Sequence, residues 1–205
     1  RPGHALLLDT RDGSTRHIPL DLAAHGLALL VIDTKAEHQL VDGQYAARRA
    51  TCETAAAALG VSTLREVGDL DAALTALIDL PDSQTVARRV RHVVTEIARV
   101  EQVADLLTGD DVEQVGAVLT AAHASLRDDY EVSCRELDLA VDTALAAGAL
   151  GGRMVGGGFG GSAIALVRLT DVDEVAGAVA TAFDDAALAS PAFLVAQAAG
   201  PAARD

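Results

Sequence analysis

Gly152-Arg153-Met154-Val155-Gly156-Gly157-Gly158-Phe159-Gly160-Gly161-Ser162 decides how the rest of this sequence is read. Gly156, Gly158 and Gly161 satisfy the spacing G-x-G-x-x-G. A dinucleotide site, however, needs a strand before the glycines and a helix after them, so that the pyrophosphate meets the helix N-terminus. Here a helical pattern ending at Ala147 comes first and a strand-like run, Ala163 to Leu169, comes after. No Gly-Lys-Ser/Thr follows, so the stretch is not a P-loop either. A flexible linker is the bland alternative, but Arg153, Met154 and Phe159 are out of place in one. Gly151 to Gly161 is therefore read as a loop whose backbone comes close to something, a phosphate or another loop.

Working outward, short β-like runs stand at Ala5–Asp9, His17–Leu20 and Leu27–Asp33, the first two joined by hairpin chemistry at Arg11-Asp12-Gly13-Ser14. Helical patterns cover Leu40–Leu59, ending at Gly60, and Leu70–Leu80, ending before Pro81. From Ser83 to Leu107, the residues Val86, Val90, Val93, Ile97, Val100, Ala104 and Leu107 form one stripe, facing a core or a partner helix. Another helix spans about Val112 to Leu126. Ser133-Cys134-Arg135-Glu136 is a capping signal for one running to Ala147, and Asp171 with Glu174 repeats it for one running to about Ala189. Phe193–Gln197 closes the pattern as a buried strand. Strands at both ends with helices between them predict an α+β fold rather than a βαβ array.

Half of the 205 residues are apolar, enough for a sizeable core. Sixteen Lys and Arg against 30 Asp and Glu give a net charge of −14, which argues against nucleic acid or an anionic membrane as the main partner. The densest basic cluster is Arg88, Arg89 and Arg91. Two cysteines, Cys52 and Cys134, are too few for a disulfide framework and fit a reduced, cytoplasmic setting. Ala186 to Ala203 is uncharged and long enough to span a bilayer, but its alanines, Ser190, Pro191 and Gln197 make it a poor membrane helix. No basic-then-apolar signal segment opens the chain. Arg1, with the apolar run Ala5–Leu8 behind it, reads as a chain joined in the middle of a domain.

Four stretches together resemble the galactokinases, members of the GHMP family of small-molecule kinases. Gly152 to Gly161 is similar to that family's third motif. Asp33-Thr34-Lys35-Ala36-Glu37-His38 with Tyr45-Ala46-Ala47-Arg48-Arg49 is similar to the segment bearing its sugar-contacting tyrosine. Arg91-His92-Val93-Val94-Thr95-Glu96 resembles a family helix. Ser125-Leu126-Arg127-Asp128-Asp129-Tyr130-Glu131-Val132-Ser133-Cys134, with Glu136-Leu137-Asp138, is the most distinctive match. The resemblance covers essentially the whole chain and implies its carboxyl-terminal half. Residues 1–25 would be the last hairpin of a preceding domain. Residues 26–205 would be a GHMP carboxyl-terminal domain, an antiparallel sheet with packed helices and a helical insert over about 82–148.

What the resemblance implies for function follows residue by residue. Tyr45 would hydrogen-bond a galactose hydroxyl and offer its ring as an apolar wall, a polar tip on an apolar body being suited to sugars. Read without the resemblance, it is a tyrosine at the edge of a core. Gly156, Gly157, Gly158, Gly160 and Gly161 would line the interdomain cleft near the nucleotide phosphates or buttress the phosphate loop. Val155 stands where many galactokinases have threonine, and Ser162 where a cysteine often ends the motif. ATP and magnesium would be held mainly by the amino-terminal half, which also carries the catalytic aspartate, so no catalytic or metal-ligating residue is assigned to this chain. The partners implied are galactose, ATP and that amino-terminal half, with no nucleic acid and no membrane. A galactose- and ATP-sensing regulator without catalysis, or a GHMP kinase for another sugar, are the rivals.

Other polar residues read more simply. His38 is placed at the start of a helix, where a structural hydrogen bond is as good an account as a site. His92 and Glu96, one turn apart, imitate two metal ligands but suit a helix–helix contact better. Ser125, Asp128, Asp129 and Tyr130 suggest a triad, yet the sequence implies no partnered histidine beyond His123.

Overall fold

A computed structural model describes residues 1–37, 43–109 and 111–200. Strand β3 (Leu27–Ala36) is the spine of a four-stranded antiparallel sheet ordered β4-β5-β3-β6, with β4 at Gly151–Val155, β5 at Gly161–Arg168 and β6 at Ala192–Ala196. Alternation places Ala28, Leu30, Ile32 and Thr34 of β3 on one face, all buried. They meet Ala163, Ala165 and Val167 of β5 and the apolar sides of α5 (Arg135–Ala146) and α6 (Val172–Asp185), with Phe183 at the centre. This is the α+β arrangement expected from the sequence.

The other face begins at Leu27 and Leu166. They pack on Val112, in the 3-10 turn before α4, on Val115 at the start of α4 (Val115–Asp128) and on the end of α3 (Ser83–Thr108). A second, purely helical core joins α1 (Gln44–Leu59), α2 (Leu70–Ala76) and the first half of α3 through Ala55, Leu77, Val86 and Val90. Helix α3 thus links two cores. Its predicted stripe is buried at its ends, at Val86, Val90 and Ala104, whereas Val100 is exposed. Strands β1 (His4–Leu8) and β2 (Thr15–Pro19) form a separate two-stranded sheet across α3. It is tied there by Arg16 to Glu101 at 2.5 Å and by Arg65 to Asp9 through two hydrogen bonds of 2.7 and 3.1 Å.

Several expectations are corrected. The stretch read as a loop from Gly151 begins as strand β4, and only the turn Gly156–Gly160 is irregular. Gly151 and Gly152 belong to a strand because α4 lies against its backbone: a Cβ on Gly151 would overlap the Gly116 carbonyl. The outward amides of this edge strand are met by α4 side chains, Gly152 N–H by Thr120 Oγ1 at 3.4 Å and Met154 N–H by His123 Nδ1 at 3.2 Å. The strand predicted as buried at the carboxyl end, β6, is an edge strand with Leu194 65% exposed. Helix α2 stops at Ala76 rather than Leu80, and α6 at Asp185 rather than Ala189.

Both predicted caps also differ. Cys134 occupies the N-cap of α5 without a side-chain bond, while Ser133 donates to Asp138 at 2.5 Å. Asp171 caps α6 by position only, its carboxylate accepting from Thr170 at 2.6 Å. The first turn expected for α1 and His38 lie outside the described residues. No helix among the described residues is long and apolar enough to cross a membrane.

Candidate functional site

The fold brings Tyr45 to the glycine turn. Tyr45 sits in the first turn of α1, 52% exposed, and its phenol lies against Gly157 so closely that a Cβ there would overlap the hydroxyl oxygen. Its ring meets Phe159 edge to face, centroids 5.4 Å apart. Phe159, at the tip of the turn, has φ +61°, a left-handed conformation uncommon for a residue with a side chain.

The turn itself is wedged between two backbones. At Gly158 (φ +87°) a Cβ would overlap the Val132 carbonyl, and at Gly160 (φ +137°) it would stand 2.8 Å from the Glu37 carbonyl oxygen. Phe159 N–H donates to Val132 O at 2.7 Å, and Thr34 Oγ1 donates to Gly161 O at 2.5 Å. Gly156 opens the turn and Gly161 begins β5. The glycine run is therefore required by close packing on the 131–133 loop and on the end of β3.

Beneath Tyr45 lies a polar cluster of four arginines, Arg48, Arg88, Arg89 and Arg91. Arg48, only 8% exposed, donates to the Tyr130 and Glu131 carbonyls at 2.9 and 2.5 Å and stands over the Phe159 ring at 5.1 Å. Burial pushes its guanidinium below the ordinary value. Arg89 donates to the Asp129 carbonyl and to the Glu131 carboxylate, which Arg88 also contacts at 3.0 Å. Arg91 pairs with Asp129 at 2.8 Å. The hydrogen bond from Arg89 holds the Glu131 carboxyl below the usual range. The densest basic cluster of the sequence is thus engaged internally with the 129–131 loop.

His92 and Glu96 do not act together. His92 is buried, stacked on Tyr130 with centroids 4.4 Å apart, and its Nδ1 lies 3.0 Å from Ser125 Oγ. Burial pushes its pKa down to about 4, so it is neutral at pH 7. Ser125 donates in turn to Asp129 at 3.1 Å. A partnered histidine for Ser125 does exist, one helix away. The order Asp–Ser–His with a buried hydroxyl suits a structural clamp between α3 and α4, since a nucleophile would need the histidine as base and an open face. His123, the neighbour considered from sequence, faces Met154 N–H and stands 3.3 Å from Asp138. Among the described residues no three His, Cys, Asp or Glu side chains are grouped so as to hold a metal ion.

Glu96 works on the opposite side, where it accepts from Arg153 of β4 at 2.5 Å and from Arg99 at 2.7 Å. Burial alone would raise its pKa, but the two arginines outweigh it and hold the carboxyl low. This network borders an apolar cleft of about 350 Å³ between the β1–β2 hairpin, α3, α4 and the sheet. Val155 faces this cleft, which accounts for an apolar residue at that position.

Comparison with known proteins agrees with this architecture. Residues 103–185 match the family described as "GHMP kinases C terminal". The chain is 59% identical over 191 residues to a galactokinase of Streptomyces coelicolor, covering 92% of this chain and 49% of that protein. It is 54% identical to a galactokinase of Streptomyces lividans, covering 98% of this chain and 54% of that protein. A crystal structure of Lactococcus lactis galactokinase complexed with galactose superposes with a TM-score of 0.86 at 31% identity, over 97% of this chain and 51% of that one. Mevalonate kinase from Leishmania major shares the fold alone, at 18% identity and a TM-score of 0.52. The chain spans about half the length of the curated relatives it matches. Its antiparallel sheet, its helices and its glycine turn make it a GHMP kinase carboxyl-terminal domain, similar along its length to the carboxyl-terminal half of galactokinases.

Proposed function

We propose that this chain is the sugar-facing wall of a galactokinase, which transfers the γ-phosphoryl group of ATP to the anomeric hydroxyl of galactose. The observation that carries the reading is Tyr45, an exposed phenol held by Gly157 and Phe159 at the edge of a rigid turn. A hydroxyl donor beside an aromatic face suits a monosaccharide, which offers hydroxyls on its rim and C–H groups on its flat side. The relatives of similar sequence are named galactokinases, and the similar structure was solved with galactose.

In this reading the chain binds and orients the sugar, and the groups that handle the phosphates lie in an amino-terminal half. Residues 1–25 belong to that half as its last hairpin, which accords with the separate β1–β2 sheet. The family carries ATP as phosphoryl donor. Magnesium, in this reading, is held with the phosphates mainly by that amino-terminal half. Catalysis of phosphoryl transfer is largely positioning and charge stabilisation, so a wall that fixes the acceptor hydroxyl contributes without chemistry of its own. The protein works in the cytoplasm, and the chain by itself turns over no galactose.

The test is a coupled assay of the full-length protein with Tyr45→Phe. Loss of one hydrogen bond to a neutral hydroxyl should raise the galactose KM by about 2- to 12-fold. The KM for ATP should hold. An unchanged galactose KM removes Tyr45 from the sugar site. Galactose binding without turnover in the full-length protein favours the regulatory, sensor-type reading.

A further inference from the structure

Two adjacent arginines of α1 are treated very differently by the fold. Arg49 reaches Glu53 at 2.8 Å on the exposed side, a surface pair of ordinary kind. Arg48 is buried, and among the described residues every hydrogen-bond acceptor it finds is neutral: the carbonyls of Tyr130 and Glu131, and the carbonyl and Oε1 of Gln44 at 3.1 and 2.5 Å. The nearby Glu131 carboxylate is engaged by Arg88 and Arg89. Burying a guanidinium without a carboxylate partner is expensive, and anchoring a helix does not demand it.

What the guanidinium touches gives the reason. Glu131 and Phe159 are both left-handed, at φ +54° and +61°, and both contact Arg48, one through its carbonyl and one through its ring. Such conformations persist only where their surroundings fix them. Arg48 also grips the first turn of its own helix at Gln44, the residue before Tyr45. One planar fork therefore sets three things at once: the start of α1, the 130–131 loop, and the aromatic ring that braces Tyr45. A lysine offers one point charge and no flat face, so it can replace only part of this.

We infer that Arg48 is a positioning residue, which fixes the separation of Tyr45 from the Gly157–Phe159 turn and so the width of the sugar-facing wall. It touches no substrate. This rests on the reading of Tyr45 as the sugar contact.

The experiment compares Tyr45→Phe, Arg48→Lys, Arg48→Met and the double variant Tyr45→Phe/Arg48→Met in the full-length protein, by kcat, the KM for galactose and for ATP, and Tm. Arg48→Met should raise the galactose KM about as far as Tyr45→Phe does, with the KM for ATP within about twofold, because a displaced contact is lost as surely as a deleted one. Arg48→Lys should fall between it and the wild type. The double variant should be no worse than the more affected single variant, since both act on one contact.

Arg48 variants that lower Tm or kcat while leaving the galactose KM unchanged would overturn the inference. So would a double variant whose effects multiply. Should Arg48→Met fail to fold, Arg48→Lys decides alone: an unchanged galactose KM rejects the positioning role. Tyr45→Phe with an unchanged KM removes the sugar reading and this inference with it. A raised KM in Tyr45→Phe beside normal values in the Arg48 variants removes this inference only.

Discussion

The Tyr45 hydroxyl occupies the space where a side chain on Gly157 would begin; a Cβ there would also stand 3.1 Å from Cζ of the same ring. Gly157 is not left-handed, so alanine suits its backbone, and the obstacle is the far end of a half-exposed side chain rather than backbone. Gly157→Ala should therefore turn Tyr45 aside while changing stability by no more than about 1 kcal/mol. In the full-length protein we expect a galactose KM raised about as far as in Tyr45→Phe, with Tm nearly constant. Urea unfolding and the coupled assay on one preparation check both halves.

The opposite outcome is expected at Gly151. Its Cβ would run into the Gly116 backbone, which cannot rotate away, so the strand and α4 must separate. Gly151→Ala should cost about 3 kcal/mol or more, by the overpacking mechanism. A shift of the urea midpoint smaller than that of Gly157→Ala would contradict the backbone-to-backbone contact of α4 and β4.

His92 gives the fold an acid limit. Its pKa of about 4 in the folded chain lies below the model-compound value of 6.5, so the unfolded chain takes up the proton first as pH falls. Its contribution is complete above the unfolded value and is lost from there down towards pH 4. Linkage sets that loss at about 2 kcal/mol by pH 5. The carboxylates held low, Glu96 and Asp138, begin to lose theirs only below their own unfolded values, under pH 5. His92→Gln should flatten urea midpoints between about pH 7 and about pH 5, and an unaltered slope would place the acid sensitivity elsewhere.

Much of this was legible in the sequence because periodicity records burial. The β-like run of β3 and the long repeat of α3 both appear in the structure, as does the hairpin turn at Arg11–Ser14. Strand β4 was not legible. Its first two residues carry no side chains, since α4 needs that space, and a strand without side chains has no alternation to read. The caps misled for a related reason: Ser133 and Asp171 have the right spacing, but each finds a nearer partner, in Asp138 and in Thr170. At the site, Tyr45 and the glycines could be singled out by resemblance, whereas nothing local distinguishes Arg48 from Arg49. Their difference is made by Tyr130 and Glu131, more than eighty residues away in sequence. His92 likewise meets Ser125 across a helix pair, a contact that i,i+4 spacing does not announce.

That distance in sequence has a consequence of its own. Arg48 lies 82 residues before Tyr130, and the phenol it supports rests on a turn further still along the chain. Nothing short of the assembled tertiary structure can create the arrangement, and a partly opened molecule forfeits it. Any small molecule that grips both Tyr45 and the turn must then bind the native state alone. Its free energy of binding adds to the global stability by mass action, so occupancy can be read as resistance to denaturation or proteolysis without measuring catalysis.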